Sequence, residues 1–117
     1  MPIVGHGIDV VDITRFEHTL EHTPNLMIRL FTDAEAELPI ASRAARFAAK
    51  EALIKALGDS DGVRWRDIDI PRTGERPEFV LSGAIAERIE RAGIRLHLSM
   101  SHDGGIATAS VIAEVTA

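Results

Sequence analysis

The first hydrophobic segment of the chain is typical of a β-strand. Ile3–Val11 is apolar and largely β-branched apart from one His and one Asp, which predicts a buried strand. Directly after it, Ile13, Phe16 and Leu20 recur at helical spacing, and Asp12 stands where an N-cap is expected. The chain therefore begins with a strand that leads into an amphipathic helix.

The strongest helical pattern is Ser42–Leu57, an Ala-rich segment without Gly or Pro that ends at Gly58. At about 100° per residue, Leu53 lies on one side, whereas Phe47 and Ile54 lie nearly opposite. A helix that is apolar on two sides is usually buried. This one nevertheless carries several charged residues, and charged groups on a buried helix need partners.

The remaining patterns predict shorter elements. Thr32–Glu35 is a capping box that marks another helix start, and Pro39 interrupts that helix. Strands are also predicted at Val63–Ile70, Glu78–Leu81, Ile94–Met100 and Ile106–Val115. A further helix is capped by Ser82 and stops at Gly93, and residues 101–105 are a predicted hairpin connection. Strands and helices without regular alternation predict an α+β fold, in which helices pack on an antiparallel sheet.

Composition narrows the class of protein. The 117 residues fit one domain, 1–117, and 13 basic against 18 acidic side chains give a net charge of −5. An acidic chain argues against non-specific nucleic-acid binding. Cysteine is absent, no segment approaches the roughly 20 apolar residues of a membrane helix, and no secretory signal opens the chain. These features predict a cytoplasmic protein that binds neither nucleic acid nor membrane.

Two carboxylates occupy positions where a carboxylate is unexpected. Asp9 lies inside the apolar first strand, and Glu51 lies on the buried-looking helix. Asp9 can cap the next turn, and Glu51 can form an ordinary ion pair with Lys55 one turn on. Alternatively the two converge on a cation, and oxygen ligands from two rigid elements suit Mg²⁺.

The lysines are concentrated on the same helix. Lys50 and Lys55 are the only two in the chain, and the other eleven basic residues are arginines. Arg46 and Lys50 are one turn apart, and Lys55 is one turn from Glu51. Three cations around one acid indicate either a solvated charged face or a site for a polyanion and its metal.

Histidines mark two further places. Ser101, His102 and Asp103 precede a Gly-Gly turn, where they either bond local backbone or form the rim of a phosphate or ribose site. His18 and His22 are spaced for zinc chelation, but no third ligand is near, which favours a surface face.

Taken together, these residues resemble a known family, the holo-[acyl-carrier-protein] synthases, which are the small stand-alone 4′-phosphopantetheinyl transferases. The motifs that carry the resemblance run nearly end to end: Gly7-Ile8-Asp9-Val10-Val11 with Arg15, Arg29-Leu30-Phe31-Thr32 with Glu35, Arg46-Phe47-Ala48-Ala49-Lys50-Glu51-Ala52 with Lys55-Ala56-Leu57-Gly58, Trp65-Arg66-Asp67-Ile68, and Ser99-Met100-Ser101-His102-Asp103.

The resemblance implies a reaction and its participants. The enzyme would move the 4′-phosphopantetheine arm of coenzyme A onto a serine of an apo acyl carrier protein, in fatty-acid or polyketide synthesis, and release adenosine 3′,5′-bisphosphate. It would use Mg²⁺, with Mn²⁺ as a possible substitute. The matching positions imply metal ligands Asp9 and Glu51, catalytic residues Glu51, Lys55, His102 and Asp103, and coenzyme A contacts from Arg46, Lys50, Lys55, Ser101 and His102.

The same resemblance implies partners. Carrier proteins are acidic, so this acidic chain would dock them through a local basic patch, for which Arg15, Arg29 and Arg43 are the candidates. Family members of this length form homotrimers with active sites between subunits, which would explain a central helix that is apolar on two sides. An inactive carrier-binding homologue and a hydrolase that uses the same metal site are the alternative functions.

The chain departs from the family pattern at two places. The family usually has Gly-Thr-Gly after the central helix, whereas this chain has Gly58-Asp59-Ser60-Asp61-Gly62. The family often has an aromatic residue shortly after the Ser-His pair, whereas this chain has Ile106. Neither departure alters Asp9, Glu51 or Lys55.

Overall fold

We describe residues 2–116 of the chain from a computed structural model. Within this range the elements are, in order, β1 (Ile3–Asp12), α1 (Ile13–His22), α2 (Leu26–Leu30), α3 (Asp33–Ala36), α4 (Ile40–Leu57), a 3₁₀ turn (Trp65–Asp67), β2 (Ile68–Asp69), β3 (Val80–Leu81), α5 (Gly83–Ala92), β4 (Ile94–Asp103) and β5 (Ile106–Val115).

The main sheet is antiparallel and has the strand order β1-β5-β4. β4 and β5 form the predicted hairpin, with Asp103 opposite Ile106 and two glycines at positive φ in the turn. β1 pairs with the other edge of β5, so that Asp9 lies opposite Ala109. β2 and β3 form a separate two-stranded ribbon. The prediction of an α+β fold with helices on an antiparallel sheet is confirmed.

Helix α4 lies at the centre of the fold. It packs against β1, β5 and β4 on one side and contacts α1 on another. Gly58 ends it in the left-handed conformation, as predicted, whereas its first turn begins two residues before the predicted Ser42. On its second apolar side, Phe47 stacks on Phe16 and Trp65 of the same chain, so this residue is packed without a neighbouring subunit.

The prediction that the first strand is buried is also wrong for one of its two faces. Gly7 and Val11 face α4 and are buried, whereas Ile8 and Val10 point away from the helix with 56% and 62% of their surface exposed. An antiparallel sheet that is covered by helices on one side leaves the other side open. We refer to the surface that carries Ile8 and Val10 as the outer sheet face.

The smaller elements agree with the sequence to different degrees. Asp12 caps α1 by accepting the amide of Arg15, and Thr32 and Glu35 form the predicted capping box. The predicted strand at 63–70 is instead the 3₁₀ turn followed by two residues of strand, and the strand predicted at 78–81 is reduced to its last two residues. No helix among residues 2–116 is long and apolar enough to cross a membrane.

Candidate active site

Two glycines allow β1 to approach the backbone of α4 very closely. A Cβ atom built at Gly7 would lie 1.9 Å from the carbonyl oxygen of Ala52, and one built at Gly5 would lie 1.9 Å from that of Ala56. Any side chain at these positions would overlap the helix. The contact brings Asp9, two residues after Gly7, against the helix face that carries Glu51 and Lys55.

Asp9 and Lys55 form an ion pair across this contact. The Lys55 ammonium donates to Asp9 Oδ1 at 3.1 Å and to the carbonyl oxygen of Ile8 at 3.0 Å. The Asp9 side chain is only 17% exposed, whereas that of Lys55 is 53% exposed. Thr108 Oγ1 also donates to the Asp9 carbonyl oxygen at 2.9 Å, which ties this point of β1 to β5. A shielded carboxylate therefore lies beside an ammonium that remains accessible to an anion.

Glu51 is the third member of this cluster. Partial burial raises the pKa of its carboxyl group, and the negative charge of Asp9 raises it further, while Lys55 opposes the shift. Two carboxylates that repel each other across a helix–strand contact are stabilised by a shared cation. The ion pair between Glu51 and Lys55 that the spacing also allowed is not formed, because the ammonium binds Asp9 instead.

The donor set fits Mg²⁺ better than zinc. Asp9 and Glu51 supply carboxylate oxygens only, and residues 2–116 contain no group of three or more His, Cys, Asp or Glu side chains placed to hold a metal. Zinc sites usually take three or four protein ligands, whereas Mg²⁺ is often held by one or two carboxylates with water and phosphate oxygens. Two carboxylates at an open cavity are consistent with the second pattern.

The cluster lies in the wall of a cavity of about 700 Å³. Part of the cavity wall is charged, and another part is formed by the side chains of three aromatic residues. Its lining is formed by Asp9, Val10, Val11, Asp12, Arg15, Phe16, Thr19, Leu26, Arg29, Leu30, Phe47, Glu51, Lys55 and Trp65.

The aromatic part of the wall is a short stack. Phe47 lies between Phe16, at a ring-centroid distance of 5.0 Å, and Trp65, at 5.8 Å. These rings come from α1, α4 and the 3₁₀ turn, so their packing holds three elements around the cavity. A cavity with ionic and aromatic walls can take a ligand that is anionic at one end and apolar at the other.

Lys50, for which the resemblance implies a contact with coenzyme A, does not line this cavity. Its side chain has no exposed surface, and its ammonium donates to Glu35 Oε1 at 2.6 Å and to the carbonyl oxygens of Leu30 and Trp65 at 2.7 and 3.3 Å. Burial lowers the pKa of Lys50, and the hydrogen bond to Glu35 opposes that shift. With its three donors directed to protein oxygens, Lys50 anchors Leu30 and Trp65, which line the cavity.

Arg46 has a similar structural position. Only 7% of its surface is exposed, and its guanidinium donates to the carbonyl oxygens of Ile70 and Ser42 at 2.9 and 3.3 Å. It does not line the cavity around Asp9. In a single chain this guanidinium joins α4 to the segment immediately after β2, and the contact with coenzyme A that the resemblance implies for Arg46 stays a prediction.

The residues of the Ser-His-Asp segment lie two strands away from β1. The register places His102 opposite Ala107, on the α4 side of the sheet, whereas Ser101 and Asp103 alternate to the outer sheet face. All three are exposed, and none lines the cavity that holds Asp9. A single chain therefore does not bring them together with Glu51 and Lys55.

The three candidate docking arginines differ in their position relative to the cavity. Arg15 and Arg29 line the cavity and are exposed. Arg43 is half-buried, donates to the carbonyl oxygen of Leu38 at 2.9 Å and contacts Met27 Sδ at 3.3 Å, so it is not available at the cavity mouth. Its assignment to carrier docking stays a prediction from the resemblance.

The acidic loop after α4 is held by an arginine that sequence reasoning missed. Arg88 of α5 donates to Asp59 Oδ1 at 2.7 Å and to the carbonyl oxygen of Asp61 at 2.9 Å. The Asp61 amide and Arg88 together lower the pKa of Asp59. Asp59 and Asp61 do not line the cavity. Sequence reasoning also missed that Glu35, identified there as part of a helix cap, is the ion-pair partner of Lys50.

Comparisons with known proteins agree with one another. The sequence model of the 4′-phosphopantetheinyl transferase superfamily matches residues 5–109. A relative from Leifsonia xyli subsp. xyli, named holo-[acyl-carrier-protein] synthase, is 57% identical over 114 residues, which cover 96% of this chain and 97% of the relative.

Solved structures show the same similarity. A Chronobacterium ammoniagenes ACPS–CoA complex superposes with a TM-score of 0.84 at 27% identity and covers 100% of both chains. The acyl carrier protein synthase of Mycobacterium tuberculosis has a TM-score of 0.76 at 38% identity and covers 97% of this chain and 99% of the other.

Proposed function

This chain belongs to the 4′-phosphopantetheinyl transferase superfamily, and we propose that its Asp9–Glu51–Lys55 cluster is the centre at which the transfer takes place. The enzyme moves the 4′-phosphopantetheine arm of coenzyme A to a serine hydroxyl of an apo acyl carrier protein. The serine oxygen forms a bond to the phosphorus that carries the arm. The bond from that phosphorus to the bridging oxygen breaks, and adenosine 3′,5′-bisphosphate leaves.

One observation supports this proposal: two carboxylates and one accessible ammonium lie together in the wall of a single cavity. Asp9 and Glu51 would hold Mg²⁺, which when bound offsets the negative charge that develops on the transferred phosphoryl group and the leaving bisphosphate. Lys55 extends past Asp9 into the cavity, where its ammonium binds a phosphate oxygen. The aromatic stack forms an apolar wall of the same cavity, and charges interact more strongly beside a wall of low polarity than in open water.

We place the remaining catalytic groups on a second copy of the chain. Ser101, His102 and Asp103 lie outside the cavity in a single chain, and Val10, Thr108 and Ser101 form one row across the outer sheet face. In the proposed homotrimer this face packs against a neighbour, which covers Ile8 and Val10. The segment 101–103 then completes the neighbour's site, where Ser101 and His102 contact coenzyme A and Asp103 accepts the serine proton.

Intact mass spectrometry of an apo acyl carrier protein tests the transfer. With this enzyme, coenzyme A and Mg²⁺, we expect the carrier to gain one phosphopantetheine, and a chelator should abolish the gain. Asp9→Asn keeps the shape of the side chain but removes its charge, so we expect at least a hundredfold slower transfer with a folded protein by circular dichroism. Chelator-resistant transfer, or a wild-type rate in Asp9→Asn, would show that the transfer does not depend on a metal held by Asp9.

Mixing inactive variants tests the shared site. Asp9→Ala and Asp103→Ala trimers, each impaired alone, should regain part of the wild-type activity when subunits exchange, because some interfaces then combine two intact halves. Size-exclusion chromatography with light scattering should give three times the mass of the 12.7 kDa chain. A monomeric mass with full activity would contradict the trimer while leaving the Asp9 cluster unaffected.

A further inference from the structure

A patch of arginines from α2 and the 3₁₀ turn lies next to the cavity. Ile28 and Arg29 of α2, together with Arg64, Trp65 and Arg66 at the 3₁₀ turn, line a groove of about 340 Å³. Arg29 and Trp65 also line the cavity, so the groove and the cavity are adjacent. We call Ile28, Arg29, Arg64 and Arg66 the arginine patch.

The cations of this patch are largely uncompensated. Arg29 and Arg64 are exposed, and within residues 2–116 neither side chain forms a hydrogen bond or an ion pair that meets ordinary distance criteria. Arg66 pairs with Asp33 at 2.8 Å, but the Asp33 side chain is 97% exposed, so that pair is weak. Three arginines at one edge of a cavity, in a chain of net charge −5, form a local positive field that attracts an acidic partner.

The patch also has the shape of a protein contact. Ile28 is 60% exposed among the arginines, so an apolar side chain lies within a charged rim. The backbone beneath is held in place, because Lys50 donates to the Trp65 carbonyl oxygen and the Asp67 amide donates to that of Arg64. A fixed apolar point with surrounding arginines suits a folded acidic surface.

We propose that the arginine patch, with Arg64 as its principal cation, docks the acidic surface of the carrier protein beside its target serine. This inference rests on the proposed function of the cavity, and it adds Ile28, Arg64 and Arg66 to the docking residues Arg15 and Arg29. Arg15 lies on α1 and Arg64 at the 3₁₀ turn, and the cavity is lined from both elements. The carrier is therefore held on two sides of the opening into which its serine must point.

Charge reversal at Arg64 tests the patch. In Arg64→Glu we expect the KM for the apo carrier to rise about tenfold, while kcat and the KM for coenzyme A remain within twofold of wild type. The wild-type rate at low carrier concentration should fall as ionic strength increases, and the variant should show a weaker dependence. Arg76→Glu is the matched control, because Arg76 is also exposed but lines neither the cavity nor the patch. It should leave all three constants within twofold.

Calorimetric titration of the apo carrier without coenzyme A separates the docking step from the chemistry. Weaker carrier binding in Arg64→Glu but not in Arg76→Glu supports the patch, even if the wild type transfers nothing and the proposed function fails. Unchanged carrier binding in Arg64→Glu refutes the patch, even if transfer proceeds normally. A raised KM for coenzyme A with an unchanged KM for the carrier also refutes it, because the arginines would then bind the phosphates of the coenzyme.

Discussion

Replacing Gly7 by Ala tests whether the close contact between β1 and α4 sets the geometry of the catalytic cluster. The added Cβ would lie 1.9 Å from the Ala52 carbonyl oxygen and 2.8 Å from the Ala56 amide nitrogen. Both atoms belong to the backbone of α4, so no side chain can rotate away to make room. The strand and the helix must therefore separate.

The contact distances give the size of that separation. Ordinary carbon contacts begin near 3.4 Å, so the gap must open by about 1.5 Å at Gly7. Overpacking usually costs about 1–3 kcal/mol, and rigid backbone places this variant near the upper value. We expect Tm to fall by roughly 10 °C. A displacement above 1 Å between Asp9 and Glu51 should lower kcat/KM by about a hundredfold.

Two measurements on the same preparation decide the outcome. Thermal unfolding reports the cost in stability, and the rate of carrier modification below the unfolding range reports the geometry. Gly5→Ala is the matched control, because its Cβ overlaps the Ala56 carbonyl oxygen by the same amount but lies farther along the strand from Asp9. We expect a similar loss of stability and a smaller loss of kcat/KM. Wild-type kcat/KM in folded Gly7→Ala would show that the close contact between β1 and α4 does not set the geometry of the cluster.

Two further predictions concern buried or partly buried charge. Lys50→Met leaves the Glu35 carboxylate buried without its cation, so urea unfolding should show that the free energy of unfolding falls by about 3–5 kcal/mol. Most of this stability should return in the double variant Lys50→Met/Glu35→Leu. An unchanged unfolding midpoint in Lys50→Met would contradict the prediction. Because the pKa of Glu51 is raised in the folded state, its charge costs stability once the pH exceeds its ordinary value. Metal-free Glu51→Gln should therefore have a higher Tm than wild type at pH 7, and the difference should disappear toward pH 4. A Tm below that of wild type at pH 7 would contradict the raised pKa of Glu51.

Local patterns in the sequence predicted the longer elements and the helix caps well, because their determinants lie within a few residues. The capping box at 32–35 and the Gly58 C-cap both form as expected. The second role of Glu35 was not predictable in this way. Its partners Lys50 and Ile70 are 15 and 35 residues away, and only the tertiary fold brings them within hydrogen-bonding distance.

Adjacent charges on α4 show why site residues were harder to assign than elements. Lys50 and Glu51 are neighbours in sequence, but successive helical residues point about 100° apart. Lys50 therefore enters the core while Glu51 faces the cavity. Hydrophobicity likewise marked Ile8 and Val10 as buried, since an apolar residue at an uncovered sheet face has the same sequence pattern as one in a core.

The proposed mechanism requires Asp9 and Glu51 to form the metal site of the transfer reaction together. Crystals grown with coenzyme A and Mn²⁺, measured at a wavelength where manganese scatters anomalously, locate the ion directly. We expect one strong peak within coordination distance of carboxylate oxygens from both residues, with Lys55 beside the coenzyme phosphates. A peak bound to only one of these carboxylates, or to neither, would contradict it.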